Sequence, residues 1–549
     1  MRLRSAALIA VLALLLAAAP AQAFKFKTPV TDAVNINNNL KLVHDQTTAD
    51  LDQHFWALIN RLNLQVKKGA LLVGLRYDVE TFLVGEETEF QGRYTVRKFF
   101  IEANKRPVRV RLGDSFVQEG RGLAFALKKV DEFGEDTTLQ GALLEVNNDW
   151  FNYGSFAGSI NPLDEDEVRP NFEFQGVGEP PKLGDLEDSP PDWPDRDLAW
   201  GGHTGLSLPG WFTAAGHYAA VYERIDPEVD PVDFEADDTW QTLSLSLDMP
   251  NILRHGAFYA EYAWLELRDR KRPIPDELSE GRGGYASAVG YAGPLTMTFE
   301  YKDYFLFEHP YSEPPSLENP KVAFGETPHY DDEIGGRLGA QYDIPLIDVN
   351  GSLSYLHVFS HEELPADLQA HYDLSKRVIE HETKHVWGGL DKTFDNAAFV
   401  FAHGGYREKP DGRWVHGELD GGAPIYGPHS FTAAFHVKTF YGWGLQSDTE
   451  YGSELYQLGY AFSPYVSLTG SYERSDEPQA SAGSGGAQQI GSEEPDENFW
   501  SIEALVQPLS QASVKLFYGR QKGGVACSAG MCREVPSFEG FKMELALRF

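Results

Sequence analysis

Apolar and polar residues alternate one by one through segment after segment of this 549-residue chain. The final nine residues, FKMELALRF, put Phe541, Met543, Leu545, Leu547 and Phe549 on one face and Lys542, Glu544, Ala546 and Arg548 on the other. The same period of two runs through Leu71, Val73, Leu75 and Tyr77, and through Leu243, Leu245 and Leu247. It returns in Leu295, Met297, Phe299 and Tyr301, in Val466, Leu468, Gly470 and Tyr472, and in Trp500, Ile502, Ala504 and Val506. An extended strand sends successive side chains to opposite sides, whereas a helix would mix the two sets on every face. Each segment is about ten residues long, which is what a tilted strand needs to cross a bilayer.

The connections between these segments are of two kinds. Short turns such as Ser463-Pro464, Ala292-Gly293-Pro294 and Gln507-Pro508-Leu509-Ser510 alternate with long, acidic, Pro-rich stretches at 162–197, 225–238, 306–331, 360–379 and 476–497. Counting back from Phe549 places every long stretch at the same end. A phenylalanine closing an amphipathic last strand resembles the C-terminal signal of Gram-negative outer-membrane β-barrel proteins of the porin-like kind. That resemblance implies an all-β fold: one large, closed, antiparallel transmembrane β-barrel with short periplasmic turns and long extracellular loops. It also implies dependence on the barrel assembly machinery and surroundings of outer-membrane lipid and lipopolysaccharide. The spacing predicts about 24 strands, within a range of roughly 20–26. Closure would satisfy every backbone group in lipid without an apolar helix.

At the other end, MRLRSAALIAVLALLLAAAPAQA has the basic start, apolar run and small-residue cleavage site of a secretory signal peptide. Residues 1–23 are expected to be removed, leaving 24–549 as a single barrel domain, expected to be a monomer. The net charge of −35 excludes nucleic acid as a partner. Cys527 and Cys532, the only cysteines, are expected to form a small disulfide in an exported chain.

Residues 381–385 read HETKH, the zinc-protease pattern His-Glu-x-x-His. It works only on a helix, where His381 and His385 share a face and Glu382 can activate a bound water. On a strand the two histidines stand about 13 Å apart, too far for one ion. The strand count places this stretch on a descending strand or at a loop-to-strand junction, so neither a metal nor catalysis is expected there. A nucleophile elbow and a haem-attachment CxxCH are also missing, so neither enzymatic activity nor a cofactor is expected.

One stretch breaks the acidic trend. Residues 93–129 carry ten basic side chains against three acidic ones. In RPVRVRLGDSF the valines alternate with Arg109 and Arg111, so if the valines face lipid the arginines face the lumen, joined by Arg93 and Arg97 from the preceding strand. With Arg121, they make either an anion-attracting ladder on a pore wall or a set of partners for luminal carboxylates. The next residues, QEGRGLAFALKKVDEFGEDTT (118–138), are less hydrophilic than the other long connections, and are predicted to fold partly into the lumen. The segment GDSFVQEGRGLAFAL resembles one found in some uncharacterised outer-membrane barrels. The function expected is a channel for small solutes, with anion preference as its finer reading. The alternative is a non-catalytic scaffold or sheath for a periplasmic or secreted partner or a cytochrome.

Overall fold

The structure is a computed structural model describing residues 32–46, 54–84, 89–130, 135–161, 196–223, 238–252, 254–269, 280–307, 311–312, 314–317, 333–360, 381–409, 412–442, 450–476, 497–528, 531–535 and 537–548. The signal peptide, Phe549 and most of the long connections lie outside these residues.

Twenty-four strands form a single antiparallel sheet. Each pairs with the next strand of the sheet in chain order, beginning with Ala33–Asp45 against Phe55–Lys68. The sheet closes where the last strand, Phe538–Arg548, pairs with Ala33–Asp45, putting Leu545 opposite Leu40 and Met543 opposite Leu42. No edge is left unpaired, which is the condition for a sheet to sit in hydrocarbon. Among the described residues there is no helix.

The two faces of the wall follow the alternation in the sequence. Leu243 and Leu245, Met297 and Phe299, Leu353 and Tyr355, and Trp500 and Ile502 all stand exposed on the outer side. Their neighbours point inward: Ser244 is buried against Glu261, and Lys302 is buried beside Glu333. An exposed apolar surface running round a whole barrel would not persist in water. With polar groups inside it is the surface a lipid-embedded barrel requires, so the fold is that of a transmembrane β-barrel.

Short turns such as Gly69-Ala70, Arg106-Pro107 and Gly427-Pro428 all lie at one end, as do the start of the first strand and the end of the last. A circular barrel of this strand number would measure about 45 Å between backbones, too wide for wall side chains alone to fill.

Two departures from a simple up-and-down barrel matter for the interior. Between the paired strands Val108–Ser115 and Thr138–Asn147 the chain makes a detour containing the small hairpin of Val117–Glu119 with Phe125–Leu127. The second is the start of the 306–331 stretch, which the sequence placed outside the barrel with the other long loops. Its described part, to residue 317, turns back onto the inner face: Phe307 and Leu317 are buried in a cluster with Tyr285, Tyr304, Leu356 and Val358. Those apolar side chains gain cover there that an outward loop in water would not provide.

Candidate functional site: the inserted hairpin and its docking surface

On one patch of the inner wall small and apolar residues replace polar ones. Leu139, Leu143, Phe156, Ile160, Ala199, Ala219 and Val221 come from four consecutive strands and form one buried cluster with Val117, Phe125 and Leu127 of the hairpin. The Phe125 and Phe156 rings stack with centroids 5.1 Å apart. Leu123, at the hairpin tip, reaches the second cluster around Tyr259 and Tyr304. Burying Val117, Leu123, Phe125 and Leu127 contributes roughly 6–12 kcal/mol as an upper bound. That is enough to hold a short hairpin against the loss of its chain entropy. The returning 306–317 segment covers it from the other side, the Tyr311 carbonyl accepting a 2.8 Å bond from the Ala126 amide.

Polar contacts fix the position of the hairpin. At its tip, Glu261 on the wall accepts bonds from the Arg121 amide at 2.9 Å, the Ser244 hydroxyl at 2.8 Å and the Tyr259 hydroxyl at 2.5 Å. This close approach needs Gly120, which has φ +63° and where a Cβ would lie 2.1 Å from the Glu261 carboxylate. Gly120→Val should therefore combine backbone strain with a steric clash, weakening docking by roughly 1–3 kcal/mol. Faster amide exchange confined to residues 117–127, in an otherwise protected barrel, is the expected reading.

Closer to the hairpin base, Glu119 meets two histidines. His203 and His217 face each other in register on neighbouring strands. Oε2 of Glu119 lies 2.9 Å from the Nδ1 of each. Burial pushes the Glu119 carboxyl up, but the hydrogen bonds and charge of the histidines outweigh it and leave the group below the ordinary carboxylate range. At the far end of the detour Asp136 binds Arg76 Nη1 at 2.8 Å and also Lys98.

The basic run predicted from sequence is placed as follows. Arg97 contacts Glu80 at 3.2 Å, Arg109 bridges Glu102 at 2.9 Å and Glu145 at 2.8 Å, and Arg111 lies 3.5 Å from Glu102 with its guanidinium 3.7 Å from the Phe100 ring centroid. Arg121 stacks over Tyr259 at 4.0 Å and donates to Ser287 at 3.3 Å. Arg93 stands opposite Glu80 in the register; its side chain lies outside the described residues. HETKH opens the strand His381–Thr393. His385 is fully buried inside, 2.9 Å from His416, while Glu382 is exposed and meets His357 and Lys384. Residues an odd number apart on a strand face opposite ways, so Glu382, three residues before His385, cannot serve an ion held by it. Cys527 and Cys532 stand opposite each other in the ribbon Gly524–Ser528 with Met531–Val535; their side chains lie outside the described residues. In the last strand Glu544 takes a 2.6 Å bond from Asn39 on the inner side, opposite in face to Met543 and Leu547.

Glu119, His203 and His217 were not singled out by sequence reasoning. The two histidines each lie seven residues from Gly210, the centre of the 209–211 turn, both on inward positions, which is a legible signal for the pair. Nothing local announces where Glu119 lands.

The class defined by fold and interior is a transmembrane barrel with an inserted segment. Residues 492–549 match a family of unknown function (DUF6029). Comparison with curated protein sequences gives no significant match. Among solved structures, the chain is similar to the P pilus usher (PapC) translocation pore, with 9% identity, TM-score 0.41, and coverage of 94% of this chain and 99% of that one. It is also similar to the copper transporter OprC, with 10% identity, TM-score 0.44, and coverage of 94% and 80%. A third is OccK3 (OpdO) of Pseudomonas aeruginosa, with 10% identity, TM-score 0.38, and coverage of 69% and 92%.

Proposed function

We propose that the chain is a monomeric outer-membrane channel for small polar solutes, narrowed by its inserted hairpin. The observation that carries this reading is the inversion of the wall. A belt of apolar side chains faces out, and the inner face holds charged pairs and polar cavities in a barrel too wide for its own side chains to fill. One such cavity, of about 230 Å³, is lined by Thr298, Arg337, Ser352, Ser354, His403 and Glu418, groups that favour water over packing. Passage through such a path needs size and charge selection but no catalysis.

The pairing of Arg109 and Arg111 with carboxylates supports a wall of near-balanced charge over a bare anion ladder. Planar-bilayer recording of the refolded mature chain tests both points. Stable conductance is expected, with a reversal potential under a salt gradient that Arg109→Gln with Arg111→Gln moves only slightly. A large shift away from anions in that variant would restore the ladder. A folded but silent barrel that co-purifies with a stoichiometric protein would replace the channel by the scaffold.

A further inference from the structure

We infer that Glu119, His203 and His217 form a binding site for one first-row divalent transition-metal ion of the zinc type, which staples the inserted hairpin to the barrel wall. The inference is independent of whether the barrel conducts.

Three features point to a ligand set. First, the geometry converges. Each of the three residues offers one ligand atom within 4.8 Å of the others, and Glu119 Oε2 lies 2.9 Å from the Nδ1 of both histidines. An ion bonded at about 2.0–2.1 Å to three such donors spaces neighbouring donor atoms by about 2.9–3.4 Å, so it fits with small side-chain shifts. Second, the donors are oriented from behind. The His217 Nε2 lies 2.9 Å from the Ser246 hydroxyl, an outer contact of the kind that fixes ring orientation and aims the other nitrogen inward. The His203 ring lies over Gly154, where a Cβ would come within 2.4 Å of it. Third, the carboxylate is enclosed: Glu119 is 3% exposed, and among the described residues its charge meets the two histidines and no lysine or arginine within ion-pair distance.

The other histidine contacts in the wall differ. His357–Glu382, His403–Asp391 and His436–Asp420 are single pairs of one imidazole and one carboxylate. The His385–His416 pair has the positive charge of Arg407 beside it, which opposes a cation. Among the described residues, the Glu119 cluster is the one group of three or more such donors close enough to share an ion. Two nitrogens and one oxygen suit zinc and its neighbours better than calcium or magnesium, which take oxygen ligands. Three protein ligands leave room for water in the remaining position.

The test is zinc titration of the untagged, refolded mature barrel with an indicator chelator, followed by X-ray absorption at the zinc edge. One equivalent should bind, with two nitrogen and one carboxylate oxygen donors from the protein. Each of Glu119→Gln, His203→Gln and His217→Gln should weaken it at least tenfold, while His416→Gln leaves it unchanged. Zinc should also slow amide exchange of residues 117–127 in the wild type, a readout that does not depend on any variant folding. No zinc bound above the level of the triple variant, or one equivalent held equally by His203→Gln and His217→Gln, would overturn the site.

Discussion

Excising residues 117–136 and joining the flanking strands through a short Gly/Ser turn should raise single-channel conductance several-fold. The join is geometrically available because Ser115 and Leu139 stand opposite each other in the register, so a tight turn can connect their strands. What the excision removes is the hairpin with its apolar anchors and the Asp136 contacts to Arg76 and Lys98. What it leaves is a continuous wall, since every barrel strand keeps both neighbours. Leu139, Leu143, Phe156 and Ile160 then face water, costing part of the roughly 6–12 kcal/mol that docking contributes. The Asp114 bonds to Thr138 and Asn161 survive to hold the strand ends. The barrel should therefore fold at a lower melting temperature and conduct more. Phe125→Asp is the milder companion: a charge placed in the apolar cluster should release the hairpin without shortening the chain, giving noisy, intermittently higher conductance. If conductance is the same with and without the hairpin, the segment does not restrict the path and the narrowing must lie elsewhere.

The wall was legible from sequence because its determinants are local. Alternation assigns faces residue by residue, as in FKMELALRF or RPVRVRL, without knowledge of any partner strand. Strand number and closure follow from counting such segments, since a lipid-exposed sheet has no stable open form. The interior was less legible. The composition of residues 118–138 suggested that they avoid water, but not that Leu123 would meet Tyr259 or that Glu119 would find histidines 84 and 98 residues away. Those contacts depend on where the detour lands on a wall, which no period encodes. Similarly, Arg109 and Arg111 could be assigned to the inner face, but their partners Glu102 and Glu145 depend on register. The 306–317 segment shows the opposite error. Its prolines and charges suggested a solvated loop, and the buried Phe307 and Leu317 outweighed them.

Adjacent residues on one strand give the sharpest test of the inverted wall. Leu353 is 60% exposed on the outer face, at the middle of the strand Val349–Ser360, while Ser352 lines the interior cavity. Leu353→Arg should destabilise the barrel in lipid by about 2–4 kcal/mol, the penalty for a guanidinium near the bilayer midplane. The surroundings offer no relief. Leu353 stands between Ala340 and Gly388 in the register, and its diagonal outer-face neighbours Leu338, Tyr342, Val386 and Leu390 are all apolar and exposed. Ser352→Arg places the same charge one residue away on the inner side, where water and Glu418 can receive it, and should cost less than about 1 kcal/mol. Reversible urea unfolding from lipid vesicles measures both. Equal penalties would mean that the two faces do not differ in their access to water. The opposite order would exchange inside for outside, and with it every assignment made from the alternation. The predicted asymmetry depends only on the period of two, so it holds whichever solute the barrel passes.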